Sequence, residues 1–230
     1  MSRKQCLHSA LLSRLRSNVR LKIVMLLTLP VPVTAGYLAV QRAVVLANGR
    51  VPLTWFDRVI PFQPRWVWVY LSLYLLNPIG PLFARSREDL VRYARGILFF
   101  FVCGFVCFVV FPVPGPRPPA ADAFWLYQRL ILIDRPYNSF PSLHAACAVY
   151  SVLFAAYVSS DTSRPNLRSS LLSLAWLWVG LILYSTIATR QHFAIDLPAG
   201  MFLGWLAQWL FVSRNSRTSN MPAFVSGEAA

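Results

Sequence analysis

The sequence predicts an all-α, polytopic membrane protein: six transmembrane helices, with the reactive groups at the outer membrane face. Three observations lead there. Hydrophobic residues make up 57% of the 230 positions and charged residues only 13%, well outside the range of a soluble domain. The apolar residues fall into blocks near the roughly 20 residues that a helix needs to cross a bilayer. The basic residues crowd onto alternate connections between those blocks, the pattern that orients membrane proteins.

Taken in order, residues 1–22 form a basic cytoplasmic segment and 23–212 a membrane domain; 213–230 form a polar tail expected to be disordered. The first span, 23–47, is too long for the hydrophobic region of a signal peptide, so it is expected to remain as a signal-anchor helix kinked near Pro30 and Pro32. The connection after it carries Trp55, Phe56, Asp57, Arg58, Ile60 and Phe62, a mixture suited to a short amphipathic helix at the outer interface. The second span, 65–83, begins with the belt residues Trp66 and Trp68 and is broken near its end by Asn77-Pro78-Ile79-Gly80-Pro81. The third is 91–111. A proline-rich outer loop follows, within which the stretch from Phe124 to Leu132 is expected to form an interfacial helix. The fourth, 143–158, is short; the fifth and sixth are 171–188 and 193–212. Backbone groups in hydrocarbon must be satisfied internally, so each span is helical.

The net charge of +14 would suit a nucleic-acid partner if it were spread over one surface, but it is not. Arg3, Lys4, Arg14, Arg16, Arg20 and Lys22 precede the first span. Arg85, Arg87, Arg92 and Arg95 separate spans two and three, Arg164 and Arg168 separate four and five, and Arg214 and Arg217 follow six. These place 14 of the 22 basic residues on one side, with both termini cytoplasmic and no nucleic-acid partner expected. The compact size suggests a bacterial inner membrane. The cysteines Cys6, Cys103, Cys107 and Cys147 make no disulfide or metal-ligand pattern and read as packing residues.

Three polar islands interrupt the apolar pattern at span ends: Pro116-Arg117-Pro118, Ser139-Phe-Pro-Ser-Leu-His144, and Thr189-Arg-Gln-His192-Phe-Ala-Ile-Asp196. An even number of crossings separates them, so all three share the outer face, in a periplasm or lumen. Charged and imidazole groups at the edge of hydrocarbon are costly and mark functional sites. If the sixth helix starts near His192, Asp196 lies four residues on and can orient the ring as a base–carboxylate pair does. Ser139 fits an N-cap and Pro141 a first helical turn, where Ser142 and backbone N–H groups would hold a phosphate and His144 could donate a proton. Arg117 and Arg190 supply planar forks for phosphate oxygens. Arg42, Arg50, Arg58 and Arg65 read as ordinary interfacial arginines. No Walker loop, His-Glu-x-x-His or acidic cluster is present, so no metal or other cofactor is expected.

At these residues the chain resembles the type 2 phosphatidic acid phosphatase superfamily, whose signatures are Lys-x6-Arg-Pro, Pro-Ser-Gly-His and Ser-Arg-x5-His-x3-Asp on a six-helix membrane core. Arg117-Pro118, Pro141-Ser142-Leu143-His144, and Ser185, His192 and Asp196 match them over about 91–212. The chain departs at Val110, Leu143 and Thr186, which stand where the signatures have Lys, Gly and Arg. Arg190 could replace the lost charge. The pattern looks most like the inositol phosphorylceramide synthase (inositolphosphotransferase) branch. The resemblance implies His192 as nucleophile, oriented by Asp196, with His144 as general acid and Arg117, Ser142 and Arg190 holding the phosphoryl group. It implies a lipid phosphate or phospholipid substrate and a phosphohistidine intermediate. Hydrolysis stands slightly ahead of headgroup transfer because it needs no second binding site. A transporter and a non-catalytic lipid-binding protein are the readings from other classes. Against the transporter stand the placement of all polar groups at one face and the lack of an inverted repeat.

Overall fold

A computed structural model describes residues 12–44, 49–118, 124–162 and 164–213. Arg3, Lys4, Cys6, Arg214, Arg217 and the polar tail therefore lie outside the described residues. Every regular element among the described residues is helical. After a short helical turn at 12–16, helix α1 spans Val19–Ala43, and α2 is the five-residue helix Trp55–Val59. Helix α3 is Pro64–Phe83, α4 Arg87–Val110 and α5 Trp125–Ile133. Helix α6 is Leu143–Val158, α7 Pro165–Ala188 and α8 Asp196–Gln208, which ends in the π-helical turn Trp209–Ser213.

Four of these, α1, α3, α4 and α7, are long and apolar enough to cross a membrane; α6 is apolar but shorter. The outer faces of these helices and of α8 carry large side chains that no other described residue covers, including Leu27, Val31, Leu75, Val106, Leu177 and Phe202. A surface of that kind is stable against lipid tails, where exposed apolar area carries no penalty.

The local signals place the helix ends. Ser86 and Asp89 form a reciprocal capping box that starts α4, with Glu88 and Asp89 favourable to its dipole. Thr54 and Asp57 do the same for α2. Pro30 divides α1 at Leu29, as expected of a residue that lacks an N–H for the preceding turn. Helix α3 is interrupted at Ser72 and again at Asn77-Pro78. The polar groups released at those breaks find partners on neighbouring helices. Trp178 Nε1 donates to Ser72 Oγ at 2.8 Å, Ser151 Oγ to Asn77 Oδ1 at 2.9 Å, and Tyr93 Oη to the Asn77 carbonyl at 3.0 Å. Such repair is the condition for a broken helix at membrane depth.

Helix α6 is the axis of the fold, packed against α8, α7, α4 and the end of α3. Its closest neighbour is α8, and glycines make that contact possible. A Cβ on Gly200 would sit 2.0 Å from the Ser142 carbonyl oxygen, and one on Gly204 would sit 2.4 Å from that of Ala146. Small residues thus let two backbones touch where no larger residue fits. Helix α1 is peripheral and packs chiefly on α4, with Gly36 against the ring of Phe105.

The two ends of α6 differ in chemistry. Its C-terminal end meets basic groups: Arg14 Nη1 donates to the Val158 carbonyl at 2.7 Å and Nη2 to Asp161 at 2.7 Å. Arg168 reaches the Ala156 carbonyl, and Lys22 Nζ is folded onto the carbonyls of Arg14 and Leu82. His144 lies at the other end, so the basic layer and the polar islands are separated by the length of the helix.

Two local expectations are corrected. Ser142, not Ser139, is the N-cap of α6: it is extended, and its Oγ accepts from Ala145 N. Ser139 is drawn away by Asp196, described below. The last helix starts at Asp196, so His192 stands in the loop before it and shares no helix face with Asp196. In that loop Gln191 N and His192 N both turn back to the Thr186 carbonyl, closing α7 instead of opening the next helix.

Candidate active site

The three islands meet at one end of the bundle. The chain leaves α7 through Thr189 and turns at Arg190, whose φ of 54° is left-handed, a conformation that only a few per cent of non-glycine residues adopt. Side-chain bonds hold that turn. Arg190 Nη1 donates to the Asp57 carbonyl at 2.8 Å and Nη2 to the Ile60 carbonyl at 2.9 Å. Ala194 N donates to Asp57 Oδ1 at 2.8 Å, and Gln63 N to the Ala188 carbonyl at 2.8 Å. The α2 segment therefore clamps the 188–194 loop from outside.

Inside that loop His192 is buried, and its Nδ1 lies 2.8 Å from the Ser139 carbonyl oxygen. A carbonyl only accepts, so Nδ1 carries the proton and Nε2 presents its lone pair. Asp196 Oδ2 is 3.6 Å from the same Nδ1. That carboxylate accepts from Phe193 N at 2.8 Å and from the Ser139 hydroxyl. Ser139 is thus the bridge between the two: its carbonyl holds the imidazole and its hydroxyl holds the carboxylate. Ser142 N donates to the Asp196 carbonyl at 3.1 Å, which ties the start of α6 to the start of α8.

His144 stacks on Tyr70, ring centroids 3.9 Å apart and planes inclined by 17°. Its ring centroid is 6.3 Å from that of His192. His144 Nε2 is buried and makes no hydrogen bond among the described residues, and the same is true of Arg117 Nε. The rest of the Arg117 fork is engaged: Nη1 with the Asp134 carbonyl, Nη2 with Asp134 Oδ2 and Gln191 Oε1. Asp134 in turn accepts from Tyr37 Oη at 2.7 Å and from Gln41 Nε2, both on α1.

A cavity of about 570 Å³ opens beside these groups. Its polar end is lined by Arg117, Asp134, Asn138, His144, Gln191 and His192. Of the six residues singled out from sequence, Arg117, His144 and His192 line it. Asp196 lies directly behind His192. Ser142 is fully buried as a helix cap, and Arg190 faces α2; neither is part of the cavity wall.

Sequence reasoning missed Tyr70, Asp134, Gln191 and the double role of Ser139. Asp134 carried a signal, since it ends the apolar run Leu130-Ile-Leu-Ile133 with a carboxylate. Asp57 carried another in its capping box with Thr54. Of the three positions that depart from the signatures, Leu143 lines the cavity and Val110 and Thr186 do not. Val110 is 77% exposed at the end of α4. Thr186 is buried, with its hydroxyl donating to the Leu183 carbonyl at 2.7 Å. Among the described residues no three His, Cys, Asp or Glu side chains are grouped as metal ligands.

No curated protein and no solved structure matches the chain at significance. A match to the PAP2 superfamily covers residues 92–219. That span is more than half of the chain and holds His144, His192, Arg117, Asp134, Ser139 and Asp196, so the chain belongs to the PAP2 superfamily, a family of phosphoesterases and phosphotransferases.

Proposed function

We propose that the protein is a membrane lipid-phosphate phosphatase or phosphotransferase that works through a phosphohistidine on His192 without metal. The spacing of the two histidines carries this reading. In-line attack needs nucleophile and phosphorus about 3–3.5 Å apart. An acid needs about 2.6–3.2 Å to the leaving oxygen. One phosphate ester can lie between the two nitrogens, because the His192 and His144 rings face each other across the polar end of the cavity with centroids 6.3 Å apart.

In the first half-reaction the Nε2 lone pair of His192 forms a bond to phosphorus while the ester P–O bond breaks. The leaving oxygen takes its proton from His144. The charge that develops on His192 is met by Asp196 and by the Ser139 carbonyl. Arg117 presents Nε–H toward the transferring group while its other nitrogens stay anchored. In the second half His144 takes a proton from the incoming oxygen, that oxygen attacks phosphorus, and the P–N bond breaks. Water gives hydrolysis; a lipid alcohol gives headgroup transfer of the inositol phosphorylceramide synthase type. Ser142 contributes by fixing the first turn of α6, and Arg190 by holding the loop that carries His192.

The same reading puts both termini in the cytoplasm and six membrane crossings in the 23–212 domain, with α6 and α8 as the two short spans flanked by longer neighbours. The site then faces the periplasm or a lumen, opposite the Arg14, Lys22 and Arg168 layer.

The test is an assay of purified protein in detergent with EDTA, using labelled phosphatidate and a prenyl diphosphate, with and without an acceptor alcohol. Free phosphate formed by wild type and lost in His192→Ala identifies a phosphatase. Labelled lipid formed only with acceptor identifies a transferase. Full turnover by His192→Ala overturns the mechanism, and activity abolished by EDTA overturns metal independence.

A further inference from the structure

We infer that the lipid substrate places one hydrocarbon chain inside the protein, in the cavity along α1, and that residues of α1 set the chain length; this rests on the phosphoryl-transfer reading above. From its polar end the cavity continues inward between α1, α3, α4 and α6. Tyr37 and Phe108 lie near the polar end, Val33 and Phe101 farther in, and Met25 and Tyr93 at the bottom. With a rise of about 1.5 Å per residue, the twelve steps from Tyr37 to Met25 measure about 18 Å. Half the hydrocarbon thickness of a bilayer is about 15 Å, so the cavity runs the depth of one leaflet.

Three features favour a chain as its occupant. The cavity is only partly enclosed and its wall is mostly apolar, so hydrocarbon fills it more favourably than water does. The wall is apolar over most of its length, and the polar groups at its bottom are already paired: the Asn77 carbonyl with Tyr93 and its side chain with Ser151. The unpartnered nitrogens of Arg117 and His144 lie at the opposite end. Polar donors at one end and about 18 Å of apolar wall below them match a phosphate ester on a single extended chain.

Helices α1 and α3 lie outside the residues that match the family. Helix α1 also touches the chemistry through Tyr37 and Gln41, which hold Asp134. A chain packed against Leu29 and Val33 therefore bears on the helix that anchors Arg117.

The test uses a C16 alkyl phosphate with a diazirine at the far end of its chain, photolysed on wild-type protein in nanodiscs and mapped by mass spectrometry. Labelling of Met25, Leu26 or Leu29, or of Ile97 or Phe101 on α4, competed by unlabelled C16 phosphate, is the expected result. Labelling confined to lipid-facing positions such as Leu27, Val31 or Trp205, or labelling that competitor does not reduce, overturns the proposal. Turnover of a C8 to C18 alkyl phosphate series gives the second readout. Leu29→Trp should move the fastest substrate to a shorter chain and lower the C18 rate at least tenfold relative to C8. Leu27→Trp, on the lipid face, should keep the wild-type preference. An unchanged preference in folded Leu29→Trp also overturns the proposal. Competed labelling of α1 with no turnover of any alkyl phosphate, with or without an acceptor alcohol, would uphold the chain site and overturn the phosphoryl-transfer reading instead.

Discussion

The imidazole of His192 is held by a backbone carbonyl, that of Ser139, at 2.8 Å from Nδ1, while the Asp196 carboxylate stands off at 3.6 Å. This division separates two jobs that a single carboxylate performs in a serine-protease triad, where losing it costs about 10⁴ in rate because the wrong tautomer results. Here the carbonyl fixes the tautomer whatever stands at position 196. Asp196→Asn should therefore lower kcat by only about 10²-fold, the loss of one electrostatic contribution. His192→Ala should lower it to background with the protein still folded. Both are read from initial rates and from size-exclusion profiles in detergent. A loss in Asp196→Asn equal to that of His192→Ala would show that the carboxylate sets the tautomer after all.

Arg117 is aimed by Asp134, and Asp134 is held by Tyr37 and Gln41. Removing the carboxylate leaves a buried guanidinium without its counter-charge, a change that typically costs about 3–5 kcal/mol. Asp134→Ala should lower Tm strongly and reduce kcat/KM by about 10²-fold or more. Tyr37→Phe deletes one of the donors and should give a milder loss in kcat/KM, about tenfold, since its bond to the charged carboxylate contributes about 1.5–3 kcal/mol and Gln41 still holds Asp134. Thermal unfolding and Michaelis curves of the two variants give the order. A Tyr37→Phe loss as large as that of Asp134→Ala would mean that the hydroxyl itself touches substrate.

The contact between α6 and α8 positions the site through backbone, so it is sensitive to a single methyl group. Gly200→Ala would place Cβ 2.0 Å from the Ser142 carbonyl, forcing apart the start of α6 and the loop that carries His192. It should lower both Tm and kcat. Gly180 on α7 has nothing within 4 Å of the same added atom, so Gly180→Ala should match wild type or gain slightly in stability. Wild-type kcat in Gly200→Ala would show that the two helices can separate without moving the site.

How much of this was legible in the sequence depends on the range of the interaction. Periodic apolar blocks and caps are local, so the spans 65–83, 91–111 and 143–158 fall within a few residues of α3, α4 and α6, and the helix expected at Phe124–Leu132 is α5 moved by one residue. The break at Asn77-Pro78 was legible for the same reason. What failed was the inference from spacing to geometry at His192 and Asp196. Four residues apart is a helix face only if a helix is there, and the turn back to the Thr186 carbonyl removes it. Ser139 as bridge, Asp134 as anchor and Asp57 as clamp all depend on contacts across more than 50 residues or between separate helices. A residue type alone does not announce such partners.

Arg190 shows the same limit and gives the sharpest test. From sequence it offers a planar fork two residues before His192 and reads as a phosphate ligand. In the fold that fork spans the carbonyls of Asp57 and Ile60, and it lies outside the cavity wall. A residue that holds the loop should act on the rate of the chemical step, not on binding. Arg190→Ala should lower kcat by about 10²-fold, the size of loss that a misplacement of about 1 Å can produce, with KM for the lipid phosphate nearly unchanged. Asp57→Ala, which frees Ala194 N from the same clamp, should give the same kcat loss with KM likewise nearly unchanged, and the double variant should lose little more than either single one because the two act on one loop. Arg190→Lys, with a point charge in place of a fork, should rescue little. A large rise in KM in Arg190→Ala, absent from Asp57→Ala, would return Arg190 to the phosphate.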